Sequence, residues 1–226
     1  MTRLHTIFVG SLIALGAASF TSCQSNGYAS SLALTGAETQ RDLTQTVTDA
    51  LEVQTNSHTE FSAAFDVLLQ LQRAPADQFE ELYKDLQHQV DLCALNVDRV
   101  DEHIARVEED AGLLFAGWES DLEQFSSPNM RARSEARMGE ARESLQHLLD
   151  QLRNARGSMD AILRTQRDYV LFFNHNLSAN SIATLELENE QFQADMNQLD
   201  GLIERAREQA DSFVLELRGT TPETDA

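Results

Sequence analysis

Residues 172–178 read FFNHNLS, and His175, set between Asn174 and Asn176, is the chain's most conspicuous candidate for polar chemistry. A histidine in such a place can act as a ligand or a pH-sensitive contact. It can also satisfy the carbonyls that the last turn of a helix leaves without partners, and this structural role is the favoured reading. Phe172, Phe173, Asn174, His175 and Asn176 therefore stand as a candidate partner-docking corner, not a catalytic one. Elsewhere the acid–histidine spacings are Asp85-x-x-His88 and Glu143-x-x-x-His147. Neither is the Glu-x-x-His step that places carboxylate and imidazole together in the di-metal sites of ferritin-like bundles. The chain has no His-Glu-x-x-His and no closely spaced cysteine pair of the kind that ligates zinc. Carboxylates are abundant, but nothing in their spacing singles out a general acid and base. The expectation is no catalytic residue, no metal and no cofactor.

The two cysteines carry different messages. Cys23 closes the stretch Phe20-Thr21-Ser22-Cys23, which follows Arg3 and the apolar run IFVGSLIALGAASF over residues 7–20. Fourteen apolar residues fall short of the ~20 needed to cross a bilayer, and they have the proportions of a signal-peptide core. The following residues resemble a bacterial lipobox, in which a cysteine is diacylated on sulfur before cleavage; leucine usually stands where Phe20 does. The expectation is a signal peptide over 1–22 and lipid attachment at Cys23, with an ordinary secretory signal as the alternative. Buried acyl chains, at ~0.8 kcal/mol per methylene, then hold the protein without a transmembrane helix. Cys93 falls on an apolar helical stripe, where a thiol behaves as a small buried hydrophobe.

These residues need elements to position them, and the periodicity supplies helices. From Phe79 to Phe125, steps of four and three meet Phe79, Tyr83, Leu86, Val90, Cys93, Val97, Val100, Ile104, Val107, Ala111, Leu114, Trp118, Asp121 and Phe125. Thirteen of these fourteen positions are apolar. A 3.5-residue repeat held this long is a coiled-coil seam. A second seam runs from Ile182 through Leu185, Asn189, Phe192, Met196, Leu199, Ile203, Ala206, Ala210 and Phe213 to Leu217. Asn189, its polar intruder, is a candidate register-setting residue. A third runs from Leu145 to Ile162 and resumes at Tyr169 and Phe173 after a gap at Gln166. The first helix is the weakest, with Leu43, Val47, Ala50, Phe61, Phe65 and Leu68 divided by a polar middle.

Breaks fall at Ala74-Pro75-Ala76-Asp77, with Asp77 as a candidate cap, and at Ser126-Ser127-Pro128, with Ser127 as N-cap and Pro128 at the first helical position. Helices are predicted near 38–74, 77–126, 128–175 and 179–218, with a flexible tether over 23–37 and a disordered tail over 219–226. Short connections make neighbours antiparallel, so the fold class is all-α: an elongated, coiled-coil-like four-helix bundle running up-down-up-down. The Pro75 and FFNHNLS corners would then share the end farthest from the tether. Gly112, Gly117, Gly139, Gly157 and Gly201 interrupt these helices and are read as close helix contacts or bends.

Charge narrows the partners. The 226 residues carry a formal net charge of −20, with 42% apolar and 7% aromatic residues. Such a surface disfavours non-specific binding to nucleic acid or to a bare anionic lipid surface. The predicted second helix holds fourteen acids and three bases, whereas the third holds eight arginines and six acids, so facing the two relieves repulsion.

Leu114-Phe115, Trp118-Glu119, Leu122 and Phe125, followed by HNLSANSIATLE over residues 175–186, resemble a bacterial family described as domain of unknown function 2959. The resemblance covers about residues 40–217. It implies a helical envelope protein with a lipoprotein-type signal, and it brings no activity, catalytic residue or cofactor. The resulting expectation is a lipid-anchored cell-envelope protein, not an enzyme, acting as a helical spacer or interaction scaffold. Gln24 after Cys23 favours the periplasmic face of the outer membrane over the inner membrane. Expected partners are the membrane, through the N-terminal lipid, and an envelope protein or a second copy. The alternatives are a ligand- or metal-binding periplasmic bundle, or a self-assembling coiled coil that uses a seam left open by the first helix.

Overall fold

Long stretches of Ala, Leu, Glu, Gln and Arg between a few proline breaks build long helices, because these side chains lose little rotamer freedom on a helix. The computed structural model describes residues 27–183 and 189–218. Helix α1 spans Gly27–Arg73, α2 Phe79–Gln124, α3 Pro128–Asn176, α4 Ala179–Ala183 and α5 Asn189–Arg218. A single 3-10 turn, Ala76–Gln78, precedes α2. At 1.5 Å per residue α2 and α3 are each ~70 Å long.

The long helices close a ring in which α1 packs on α2 and α5, and α3 packs on α2 and α5. Cross-helix bonds fix the directions. Tyr83 meets Asn174, Asp101 meets Arg156 and Glu119 meets Arg142, so α2 ascends as α3 descends. Thr46 bonds Asp110 between α1 and α2, and Gln209 bonds Ser144 between α5 and α3. One apolar core runs the length of the bundle, its largest fully buried side chains including Phe61, Phe173, Phe192 and Phe213. Phe65 stacks on Phe192 with ring centroids 4.2 Å apart, locking α1 to α5.

Several expectations are corrected. α1 begins at Gly27, not near 38, so residues 27–37 of the expected tether are helical. The stretch YASSLALTGAETQ contains no proline, and one glycine at ~1 kcal/mol does not stop a helix. Asp77 caps nothing: it lies inside the 3-10 turn, and neither that turn nor α2 has a side-chain cap bond. Ser127 does cap α3, its Oγ accepting from the Met130 N–H, with Pro128 at the first turn. Phe125 lies just past α2 and is exposed, and Leu122 fills the core in place of Asp121 and Phe125.

The polar middle of α1 does not leave its seam open. Gln54 and Ser57 point inward and are fully buried; Gln54 Nε2 donates to the Leu152 carbonyl at 2.8 Å, and Ser57 Oγ donates to its own helix at Val53. Gln166 is no gap either, since it is buried on α3 and donates to the Phe61 carbonyl at 3.2 Å. Added Cβ atoms at Gly112, Gly117, Gly139 and Gly157 would meet nothing within 4 Å, so these glycines mark no close helix approach. The last predicted helix is interrupted, with α4 and α5 on either side of 184–188. Those five residues, Leu185 among them, lie outside the described residues, as do the signal segment 1–22, Cys23 and the tail 219–226. The side chain of Asn189 is likewise not described.

Candidate functional site

The candidate corner is the end of α3. Phe173 is fully buried and belongs to the core, whereas Phe172, one position on, is 39% exposed and meets Phe173 edge-on at 5.6 Å. Asn174, His175 and Asn176 are all exposed. The helix stops because side chains take over its last carbonyls. Asn176 Nδ2 donates to the Phe172 carbonyl at 2.9 Å, and Tyr83 Oη from α2 donates to the Val170 carbonyl at 3.4 Å. Leu177 then leaves the helix at φ −77°, ψ 78°, and Ser178 opens α4, its Oγ accepting from the Ser181 N–H at 3.3 Å.

His175 takes no part in this capping. Its ring nitrogen Nε2 lies 3.5 Å from Asn174 Nδ2 at the surface. The structural role expected for it is carried by Asn176 and Tyr83 instead. Tyr83 was legible only as a seam residue, because a tyrosine in an apolar repeat does not announce which carbonyl its hydroxyl reaches. Its bonds to Val170 and to Asn174 Oδ1 at 3.3 Å place the start of α2 against the end of α3. The Pro75 turn and the 172–178 corner therefore form one end of the bundle, with exposed Leu171 and Phe172 as its apolar surface.

The other candidate pairs are apart from this corner. Asp85 and His88 lie on the outer face of α2, Glu143 and His147 on that of α3, all exposed. Among the described residues no three His, Cys, Asp or Glu side chains gather in a metal-holding geometry. Cys93 is free and fully buried at the α1–α2 contact; burial, helped by the negative charge of Glu60, pushes its thiol up to about 12. A thiol so protected is a packing group, not a nucleophile.

The opposite end holds what sequence reasoning missed. A cleft of about 340 Å³ opens between α1 and α2, with Gly36, Gln40, Leu113, Gly117, Trp118 and Asp121 among its walls. Trp118 is fixed there by its indole N–H, which donates to Ser134 Oγ of α3 at 2.8 Å, and its ring lies beside Phe115. The Arg142 guanidinium covers Phe115 at 4.9 Å while bonding Glu119 at 2.6 Å. Leu114, Trp118 and Asp121 were visible beforehand as seam positions, Phe115 in the family resemblance and Gly117 as an interrupting glycine; that they border a cleft was not.

A family model described as protein of unknown function (DUF2959) matches residues 28–217. The chain belongs to that family. The matched region starts one residue into α1 and ends one residue before α5 does, so the family's shared unit is the bundle itself. Within it fall Trp118 with its cleft and the whole 172–178 corner, while Cys23 precedes it. No curated protein and no solved structure matches the chain. No helix among the described residues is long and apolar enough to cross a membrane.

Proposed function

We propose that this protein is a lipid-anchored component of a bacterial cell envelope that works as a rigid helical spacer or interaction scaffold. The observation that carries the reading is a ~70 Å bundle, its interior filled from end to end, standing directly after an apolar run and Cys23. A core packed in this way spends its interior on shape and leaves its ends to meet other molecules. The anchor lies at the α1 end. The surface for a protein partner is the opposite end, where Leu171 and Phe172 are exposed beside Asn174 and His175. The outer membrane is the proposed location, on the strength of Gln24 after Cys23.

The test is metabolic labelling with a palmitate analogue, followed by membrane fractionation. Label is expected on the wild-type chain in the outer-membrane fraction and none on Cys23→Ser. Label that survives Cys23→Ser overturns the anchor. A photocrosslinker at Phe172 is expected to trap an envelope protein that the same probe at His147, midway along α3, does not trap. Equal trapping at both sites removes the corner as the docking surface.

A further inference from the structure

The arginines of α3 divide into two groups. From Arg142 onward, four of five bond carboxylates among the described residues, Arg167 being the exception: Arg142 with Glu119, Arg153 with Glu108, Arg156 with Asp101 and Arg164 with Asp160. In the first three turns, Arg131, Arg133 and Arg137 are exposed and have no acidic partner among the described residues. Beside them are two large apolar side chains open to solvent, Phe125 at 39% and Met130 at 53% exposure. Between Pro128 and Gly139 the single acid is Glu135. In a chain of net charge −20 the first three turns of α3 are a short stretch of positive balance with apolar side chains, flanked by Asp121 and Glu123 at the end of α2.

This end also faces the anchor. From the Thr46–Asp110 bond, α1 runs back nineteen residues to Gly27, ~29 Å, while α2 runs on fourteen residues to Gln124, ~21 Å. The start of α1 thus extends only ~8 Å beyond the α2–α3 turn. Three residues, Gln24 to Asn26, separate Cys23 from α1, and fully extended they span at most ~14 Å. The headgroup layer on each side of a bilayer is itself ~7 Å deep. A lipid on Cys23 therefore holds the turn within ~22 Å of Cys23 along the bundle axis, near enough to reach the headgroups when the linker is not extended.

We propose that the α2–α3 turn is a membrane-docking surface that seats on anionic phospholipid, with Arg131, Arg133 and Arg137 against the phosphates and Phe125 and Met130 in the interface. Basic residues next to an anchor are drawn to anionic headgroups within a Debye length, and apolar side chains between them enter the headgroup layer. A short anchor with this second contact holds the bundle upright, whereas an anchor alone lets it lean. The inference rests on the lipid-anchored reading, and it adds the lipid class and the orientation.

The test attaches the chain from Cys23 onward to vesicles through a maleimide lipid at Cys23; buried Cys93 does not compete. Trp118→Phe is combined with Phe125→Trp in one protein and with Phe172→Trp in another, two positions of equal exposure at opposite ends. Vesicles contain brominated phosphatidylcholine, with or without about one-third phosphatidylglycerol. On anionic vesicles the tryptophan at 125 is expected to be quenched at least about threefold more than that at 172. The excess is expected to vanish on neutral vesicles, at about 1 M salt, and with Arg131, Arg133 and Arg137 all changed to Glu. Equal quenching at the two positions overturns the proposal. So does a difference that persists on neutral vesicles, since the tether alone would then explain it. Because attachment is chemical, this result is independent of acylation in the cell, which the palmitate experiment decides separately.

Discussion

Gln54 and Leu152 are joined across the bundle, the glutamine's Nε2 donating to the leucine's carbonyl oxygen at 2.8 Å while its own Oε1, equally buried, has no protein partner. An amide in an apolar seam fixes the axial position of α1 against α3 at a cost in stability. Gln54→Leu is expected to leave stability unchanged or raise it by about 1 kcal/mol, because it removes an unpaired acceptor and keeps the volume. Gln54→Ala is expected to lose about 2–3 kcal/mol through the cavity it opens. Urea unfolding midpoints at constant slope measure both; a loss above about 2 kcal/mol for Gln54→Leu would show that Oε1 is satisfied by water.

Cys93 gives the molecule an alkaline limit. Its thiol ionises near 9.0 when unfolded and near about 12 when buried, so between these values only the unfolded chain releases the proton. Stability contributed by the neutral thiol is complete below pH 9 and is lost as pH rises toward 12. At pH 10 the loss is about 1.4 kcal/mol relative to pH 8. In Cys93→Ala that part of the slope is expected to disappear, which paired denaturation curves at the two pH values would reveal. In the native state the thiol is expected to resist a disulfide-exchange reagent that labels the urea-unfolded chain at once.

Gly112, Gly139 and Gly157 are exposed, and an added methyl meets open space at each. Alanine at each is expected to stabilise by about 0.8–1 kcal/mol, nearly additively because the sites are far apart. Thermal melts of the triple variant should show a transition several degrees higher. A lower one would mean that a bend at these positions matters to packing.

The ion pairs made by the arginines of α3 should be unequal. Arg156 donates twice to Asp101, at 2.8 and 2.7 Å, and its side chain is 28% exposed; the Arg164–Asp160 pair lies within α3, with the arginine 66% exposed. Asp101 also holds the Arg156 guanidinium above its ordinary pKa. Arg156→Ala is expected to cost about 1 kcal/mol at low salt and less at high salt, and Arg164→Ala about 0–0.3 kcal/mol. Equal costs would argue that the α2–α3 contact is held by its core alone.

The 172–178 corner separates core from surface one residue at a time. Phe173→Ala is expected to lose about 3–5 kcal/mol, and Phe172→Ala and His175→Ala under about 0.5 kcal/mol. Asn176→Ala, which frees the Phe172 carbonyl, is expected to fray the end of α3 and speed amide exchange there without lowering global stability by more than about 1 kcal/mol.

The seams of α2 and α3 were legible because each apolar residue reports its own burial at a fixed repeat. Residues that break the alphabet were not. Gln54 and Gln166 read as gaps because a polar side chain does not disclose a main-chain partner 98 or 105 residues away, and Ser57 because it does not disclose a bond back to its own helix at Val53. The start of α1 was placed eleven residues late because its first turns are small and polar, and a helix without a breaker has no written beginning. Asp77 looked like a cap but sits inside the 3-10 turn, with Gln78 at the cap position of α2. At the corner, the predicted bounds located the junction between 175 and 179, but could not reveal that Tyr83 reaches over from α2.

The chain has prolines only at positions 75, 128 and 222, so none interrupts α1, α2 or α5, and Pro128 only opens α3. The main-chain hydrogen bonds of α1, α2 and α3 therefore run between the two ends without a proline break, and α1 and α3 are tied sideways by the Gln54–Leu152 and Gln166–Phe61 bonds. A load at the Phe172 end is borne along the axes of these three helices together, since none carries a proline kink between the ends. The molecule is mechanically a strut: a tug at its tip arrives at its foot.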